Sequence, residues 1–302
     1  MICPHPHAVV TGASSGIGRA TVLRLADAGW HVYAGVRRAD DGKALIRASG
    51  PDNITPLIMD VTKPEQIIAG AETVEQHVGP AGLNALVDNA GIGVAVPMEL
   101  VEMGALRWQF EVNVFGQIAV TQKFLPLLRR ANGHLVVIGS IGDRFTPPFG
   151  GPLAASKAAI ATMTDAFRQE LAPWGIRVVL VEPASIHTDA VDKLERDATS
   201  AANEFPPDGR ELYRESYLGM VGTALKRESK GSSPDVVADK ILEVLKKSRP
   251  RARYLVGKDA TLMANLVRFV PTRMLDRMRR KIFRLPAPGS RSVTPVREGA
   301  TR

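Results

Sequence analysis

Thr11-Gly12-Ala13-Ser14-Ser15-Gly16-Ile17-Gly18 stands between an apolar run over 7–11 and an amphipathic stretch over 17–28. Glycine serves where backbone must turn tightly and come close to a pyrophosphate. The helix that follows offers its unpaired N–H groups to the anion. Three glycines by themselves also suit an ordinary turn, so it is the strand–turn–helix setting that points to phosphate binding. Their spacing, three residues and then one, differs from the commoner GxGxxG.

Outward from that turn, short β-branched runs alternate with amphipathic stretches. Strands are expected over 7–11, 31–36, 54–59, 85–87, 134–138, 177–181 and 253–256. Helices are expected near 17–28, 64–77, 106–130, 153–172 and 234–247. Seven strands with right-handed crossovers make an α/β fold, a doubly wound parallel sheet with the ligand at the carboxyl ends of its strands. A polar insert over 189–233, containing Pro206-Pro207-Asp208-Gly209, interrupts the rhythm and reads as a lid over the site.

A chain of 302 residues, 45% hydrophobic and 23% charged, is globular and long enough for a large core. The reading gives one domain over 1–258, a basic amphipathic helical extension over 259–285, and a disordered tail over 286–302, rich in Pro, Gly, Ser and Thr. The lone cysteine, Cys3, excludes an internal disulfide. With no signal peptide and no apolar run of about 18 residues, the expected location is cytoplasmic.

The net charge of +8 is unevenly placed. Residues 225–302 hold 20 basic and 7 acidic residues, whereas 1–224 hold 19 against 24. Nucleic acid is therefore not the expected partner, and an anionic surface met by the C-terminal region is. Over 271–284, Met274, Met278 and Ile282 recur every four residues beside Leu275, with Arg273, Arg277, Arg280 and Arg284 toward the other side. Such a helix suits peripheral contact with an anionic membrane, a partner subunit, or simple docking on its own domain.

The motif set Thr11-Gly12…Gly16…Gly18, Asn89-Ala90-Gly91, Asn113, Ser140, Lys157 and Pro183…Thr188 resembles, in order and interval, that of the short-chain dehydrogenase/reductase family over roughly residues 7–257. The resemblance implies a Rossmann-type fold, NAD(P)(H) binding, carbonyl–alcohol interconversion, and a homodimer or homotetramer paired through the long helices near 106–130 and 153–172. The C-terminal extension is similar to the branch handling steroids, retinoids and other lipophilic alcohols. By the same resemblance, cofactor contacts fall to Gly12, Ser14, Ser15, Gly16, Ile17, Gly18, Asn89, Ala90, Gly91, Lys157, Pro183, Ile186 and Thr188. Asp60-Val61 resembles the adenine-contacting pair. Ala184 departs from the Gly usual after that Pro.

Cofactor choice is read at the end of the second strand. An acid there would accept hydrogen bonds from free ribose hydroxyls, and a base would pair with a 2′-phosphate. Val36 stands in the acid's place and Arg37 follows, so NADP(H) is expected, with Ser14 or Arg38 assisting Arg37. Two arginines that merely solvate a loop are the plain alternative.

At the reaction centre the resemblance assigns Ser140 to the substrate oxygen, Lys157 to the ribose, Asn113 to a water linked to the lysine, and position 153 to the proton-donating tyrosine. Position 153 is leucine. Ser140 precedes it by 13 residues, the family's interval, and the only tyrosines are Tyr33, Tyr213, Tyr217 and Tyr254. A weak or catalytically silent relative is one outcome. A reductase with a substitute acid, such as Ser140, a water held by Lys157 and Asn113, or His187, is the other. Losing a positioned acid costs about 10²–10⁴-fold in rate, while hydride delivery by proximity survives separately. Val94, Val96, Ile141, Phe145 and Phe149 are candidates for a lipophilic substrate wall or for plain packing.

Overall fold

The computed structural model describes residues 5–50 and 52–290, with the backbone alone over 189–195. Cys3 and the last twelve residues of the expected disordered tail lie outside the described residues. Of that tail, 286–290 carry no helix or strand and close one turn, Ser290 N–H to Ala287 O at 3.1 Å.

Seven parallel strands make one sheet in the order β3-β2-β1-β4-β5-β6-β7. They are β1 (His7–Val10), β2 (His31–Val36), β3 (Ile54–Ile58), β4 (Ala85–Asp88), β5 (His134–Ile138), β6 (Arg177–Pro183) and β7 (Arg253–Val256). Each lies within two residues of its expected bounds. Alternating side chains divide between two layers because a strand turns successive residues to opposite faces. Val9 and Leu86 face the layer of Val74, Phe124 and Ile160. Ala8, Val10 and Val87 face that of Val22, Leu25 and Ile241.

The helices are α1 (Gly16–Asp27), α2 (Ala39–Ala48), α3 (Pro64–Val78), α4 (Met103–Phe110), α5 (Gln117–Ala131), α6 (Gly151–Glu170), α7 (Asp189–Glu204), α8 (Pro207–Glu228), α9 (Pro234–Leu245), α10 (Ala260–Phe269) and α11 (Thr272–Ile282). The single helix expected over 106–130 is instead α4 and α5 joined by a π-helical turn, Glu111–Gly116, that contains Asn113. Extra-residue turns of this kind occur mostly at functional sites. The polar insert over 189–233 is largely two helices, α7 and α8; α10 and α11 lie within the helical extension expected over 259–285, and α2 has no counterpart among the expected helices. Strand order reverses outward from β1 and β4, which fixes the crevice for a ligand between them.

A separate apolar cluster lies outside the sheet layers. Phe205, Tyr217 and Met220 of the insert meet Phe145, Phe283 of the C-terminal extension, and the half-buried Val96 and Phe149. The extension therefore docks on the insert. Among the described residues no helix is long and apolar enough to cross a membrane.

Candidate active site

The crevice is built from the first strand outward. The Thr11 hydroxyl accepts the N–H groups of Asn89 and Ala90, each at 2.9 Å, and Asn89 Nδ2 donates to Thr11 O at 2.9 Å. These bonds lock the ends of β1 and β4 together. Gly12 has φ +62°, and a Cβ there would lie 2.8 Å from Ala90 Cα. A Cβ on Gly18 would meet Gly12 O at 2.2 Å, so glycine is required for α1 to approach the strand this closely. No side chain caps α1. Its first-turn N–H groups are left for an anion.

A cavity of about 270 Å³ opens above this junction. Gly12, Ser14, Ser15, Gly16 and Ile17 line one wall, Val36, Arg37, Asp60 and Val61 a second, and Asn89, Ala90, Gly91 and Thr188 a third. Arg37 is exposed and has no carboxylate partner among the described residues, whereas Arg38 is turned away into a two-bond pair with Asp41 at 3.1 Å. Asp60 is held by Thr62, whose backbone N–H donates to its carboxylate at 3.0 Å. The fit to a dinucleotide rests on these features: a glycine cradle that a Cβ would fill, uncapped helix N–H groups, and a free guanidinium at the far wall.

The reaction end is more tightly tied. Asn113 Oδ1 accepts from Ile92 N–H at 2.8 Å, and its Nδ2 donates to Ile92 O at 2.9 Å and to Ser156 Oγ at 3.0 Å. Gln109, fully buried, accepts from Val94 N–H at 2.7 Å and donates to Ile92 O at 2.6 Å. Ser156 in turn donates to Leu153 O at 2.8 Å. The loop over 92–94 is thus bracketed by two carboxamides one helical turn apart. Leu153 faces it, with Cδ2 3.6 Å from where a Cβ on Gly93 would stand.

Lys157 lies a turn beyond Leu153 on α6. It is buried, and its Nζ donates to Ile138 O at 2.7 Å. Burial pushes its pKa down to about 8. Ser140 follows β5, and its Oγ accepts the Gly142 N–H at 3.0 Å, which leaves the hydroxyl hydrogen to donate elsewhere.

Behind Ser140 sits a half-buried ionic cluster. Arg144 donates two bonds to Glu182, at 2.8 and 3.0 Å, and Glu182 is fully buried at the end of β6. Arg253 of β7 reaches Asp143 at 3.4 Å, Glu182 at 3.3 Å and Asp165 of α6 at 2.5 Å. Burial, with the Glu182 charge beside it, pushes Asp143 up to about 7. The turn that carries Ser140 is therefore clamped to two strands and to α6.

Residues 6–199 match the family model described as short chain dehydrogenase. The chain belongs to the short-chain dehydrogenase family. It is 33% identical over 298 residues to estradiol 17-beta-dehydrogenase 2 of Mus musculus, covering 95% of this chain and 77% of that protein. It is also 33% identical over 277 residues to the NADPH-dependent 3-dehydrocapnine reductase of Ornithobacterium rhinotracheale, covering 90% of this chain and 95% of that one. A short-chain dehydrogenase from Burkholderia cenocepacia in complex with NADP superposes with a TM-score of 0.68 at 26% identity, over 95% of this chain and 100% of that structure.

Within this short-chain dehydrogenase, the cofactor residues read from sequence converge on the cavity, with four exceptions. Gly18 packs behind it, Lys157 and Pro183 are not among its lining residues, and Ile186 pairs with Ser232 in an isolated bridge. Asn113 and Lys157 do not bond each other. His187 lines a separate hollow with Arg19, Pro234 and Asp235, on the far side of Thr188. Phe145 and Ile141 are buried in packing clusters. Gln109, Ser156 and Glu182 escaped the sequence reading. Their only signal was polar residues at positions where a helix or strand is otherwise apolar.

Proposed function

We propose that this chain is an NADP(H)-dependent oxidoreductase for the carbonyl or alcohol of a lipophilic molecule, slowed by the absence of a phenol at position 153. Arg37, lining the cavity without a carboxylate partner next to Val36, which stands where an acid would serve NAD, is the observation that carries the cofactor choice. Gly12, Ser14–Gly16 and the α1 N-terminus would hold the pyrophosphate, Arg37 the 2′-phosphate, and Asp60-Val61 the adenine. Asn89, Ala90 and Thr188 would flank the ribose and amide. When bound, the nicotinamide supplies or takes the hydride.

A carbonyl that receives hydride gains negative charge on oxygen, and that charge needs a donor. Ser140 has a hydroxyl hydrogen free for it. Lys157, with a pKa lowered to about 8, carries its proton near neutrality and sits one turn from position 153. The relatives that act on estradiol and 3-dehydrocapnine support a lipophilic substrate. Exposed Met103, Trp108 and Phe115 along α4 and the π-turn, with Met163 on α6, support pairing of two copies through these helices. A cytoplasmic location, with peripheral contact between 271–284 and an anionic membrane, belongs to the same reading.

A second reading is a non-catalytic NADP(H)-binding protein acting as a sensor or partner subunit. Leu153 favours it, because leucine offers no proton. Titration with NADPH and NADH, paired with a turnover screen over lipophilic ketones and alcohols, separates the two: both bind the cofactor, and only the enzyme turns over.

A further inference from the structure

The C-terminal hairpin of α10 and α11 divides its surface in an unexpected way. In α11 most of the apolar stripe is docked, and Met274 at its start is 55% exposed. Leu275 is buried, and Ile282 and Phe283 pack into the cluster with Phe145 and Tyr217. At 100° per residue, Arg273, Arg277 and Arg280 fall on the opposite side. In α10 the docked side is Ala260, Met263, Ala264 and Val267, which join the same cluster or the small one around Ile141. Leu262 and Phe269, seven residues apart, stand opposite that side, 63% and 72% exposed. They are the most exposed large apolar side chains among the described residues.

A helix apolar on both faces has one face without a partner. The hairpin that carries this face is strongly basic. Residues 260–285 hold seven basic residues and one acid, Asp276, which is taken by Arg279 at 3.1 Å. Arg268, Arg273, Arg277, Arg280, Lys281 and Arg284 have no carboxylate partner among the described residues. A second copy of this hairpin would bring like charges together. An anionic bilayer would match both parts, with headgroups for the arginines and an acyl boundary for Leu262 and Phe269.

We infer that α10 and α11 seat the protein on an anionic membrane surface, with the outer face of α10 entering the lipid. This deepens the peripheral contact in the reading above but does not rest on turnover. The inner faces of the same two helices wall the apolar cluster of the insert. A lipophilic substrate leaving the bilayer would meet that cluster first.

Cosedimentation of the full-length chain with vesicles, without cofactor or substrate, tests the seat. Vesicles are phosphatidylcholine alone or with about one third phosphatidylserine. The anionic vesicles should retain the chain at low salt and release it as salt shortens the screening length. Leu262→Ser with Phe269→Ser should weaken retention by at least about tenfold, with an unchanged melting temperature because both side chains are exposed. Arg273→Gln, Arg277→Gln and Arg280→Gln together should remove most of the salt dependence. No retention at low salt, equal retention of all three proteins, or equal retention on neutral vesicles would overturn the proposal. A wild-type dimer that the Leu262/Phe269 variant dissociates, without vesicle binding, would overturn it too and make this face an interface between copies. A failed reductase screen would leave the seat standing, and a failed seat would leave the cofactor reading standing.

Discussion

At the scale of single residues, Leu153 poses the sharpest question. Its surroundings retain the expected polar groups, Ser140 with a hydrogen to give, Lys157 one turn away and Asn113, and Gln109 joins Asn113 in holding the facing loop. Leu153→Tyr is expected to raise NADPH-dependent carbonyl reduction by about 10²-fold or more. Adding Lys157→Ala should abolish the gain. A folded, NADPH-binding Leu153→Tyr protein that reduces nothing would show that the remaining groups no longer form a reductase site. Wild-type turnover at ordinary enzyme rates would instead show that another donor has replaced the tyrosine. Arg37 carries the second expectation: NADPH should bind at least about tenfold more tightly than NADH, roughly 1.4 kcal/mol. Arg37→Ala should erase most of that gap and leave NADH affinity nearly unchanged, as fluorescence titration would read. Ser140, Asn113, Lys157 and position 153 were legible through their resemblance to the family's motif intervals, and Arg37 through its place at the end of the second strand. Gln109 and Ser156 were not, since nothing in the sequence distinguishes a carboxamide that brackets a loop, or a hydroxyl that bonds to one, from their surface counterparts.

Among the elements, the turn after β5 depends on the Arg144–Glu182 pair. Removing one partner of a buried pair leaves an uncompensated charge, at a cost of about 3 kcal/mol or more. Arg253 remains 3.3 Å from Glu182 and offsets part of that loss. Arg144→Ala should therefore lower the denaturant midpoint clearly, and Glu182→Gln should do so less. The strands were readable from sequence because a sheet buried on both faces needs continuous β-branched runs. The two helices of the insert were not legible because α7 and α8 are rich in polar residues and pack through scattered apolar ones, Ala202, Phe205, Tyr217 and Met220 among them. Pro207 at the first position of α8 was the overlooked signal. In α10, Leu262, Met263, Leu266 and Val267 already carried a helical period, hidden beside the stronger basic pattern of α11.

For the whole molecule, two buried acids tie stability to pH. Burial pushes Asp88 up to about 7, with Thr121 as its hydrogen-bond donor at 2.5 Å, and Asp143 rises to about 7 beside Glu182. An unfolded carboxyl releases its proton near pH 4, so the folded chain binds more protons between about 4 and 7. These groups therefore make stability fall as pH rises through that window. Asp88→Asn should gain stability relative to wild type at pH 8 compared with pH 5, measured by urea unfolding at both. A variant that tracks wild type at both values would mean that Asp88 is ionised throughout.

One feature of the insert reaches beyond this chain. Its two roots are bonded to each other: Ser232 N–H donates to Ser185 O at 2.8 Å, and His187 N–H to Ser232 O at 3.0 Å. The excursion through α7 and α8 thus leaves and returns at one point. Its length can grow or shrink without moving β6 or α9, because neither end has to be re-anchored. A scaffold built this way is a cassette: descendants can exchange the whole helical excursion, one splice at a time, while the sheet and its crevice stay in register.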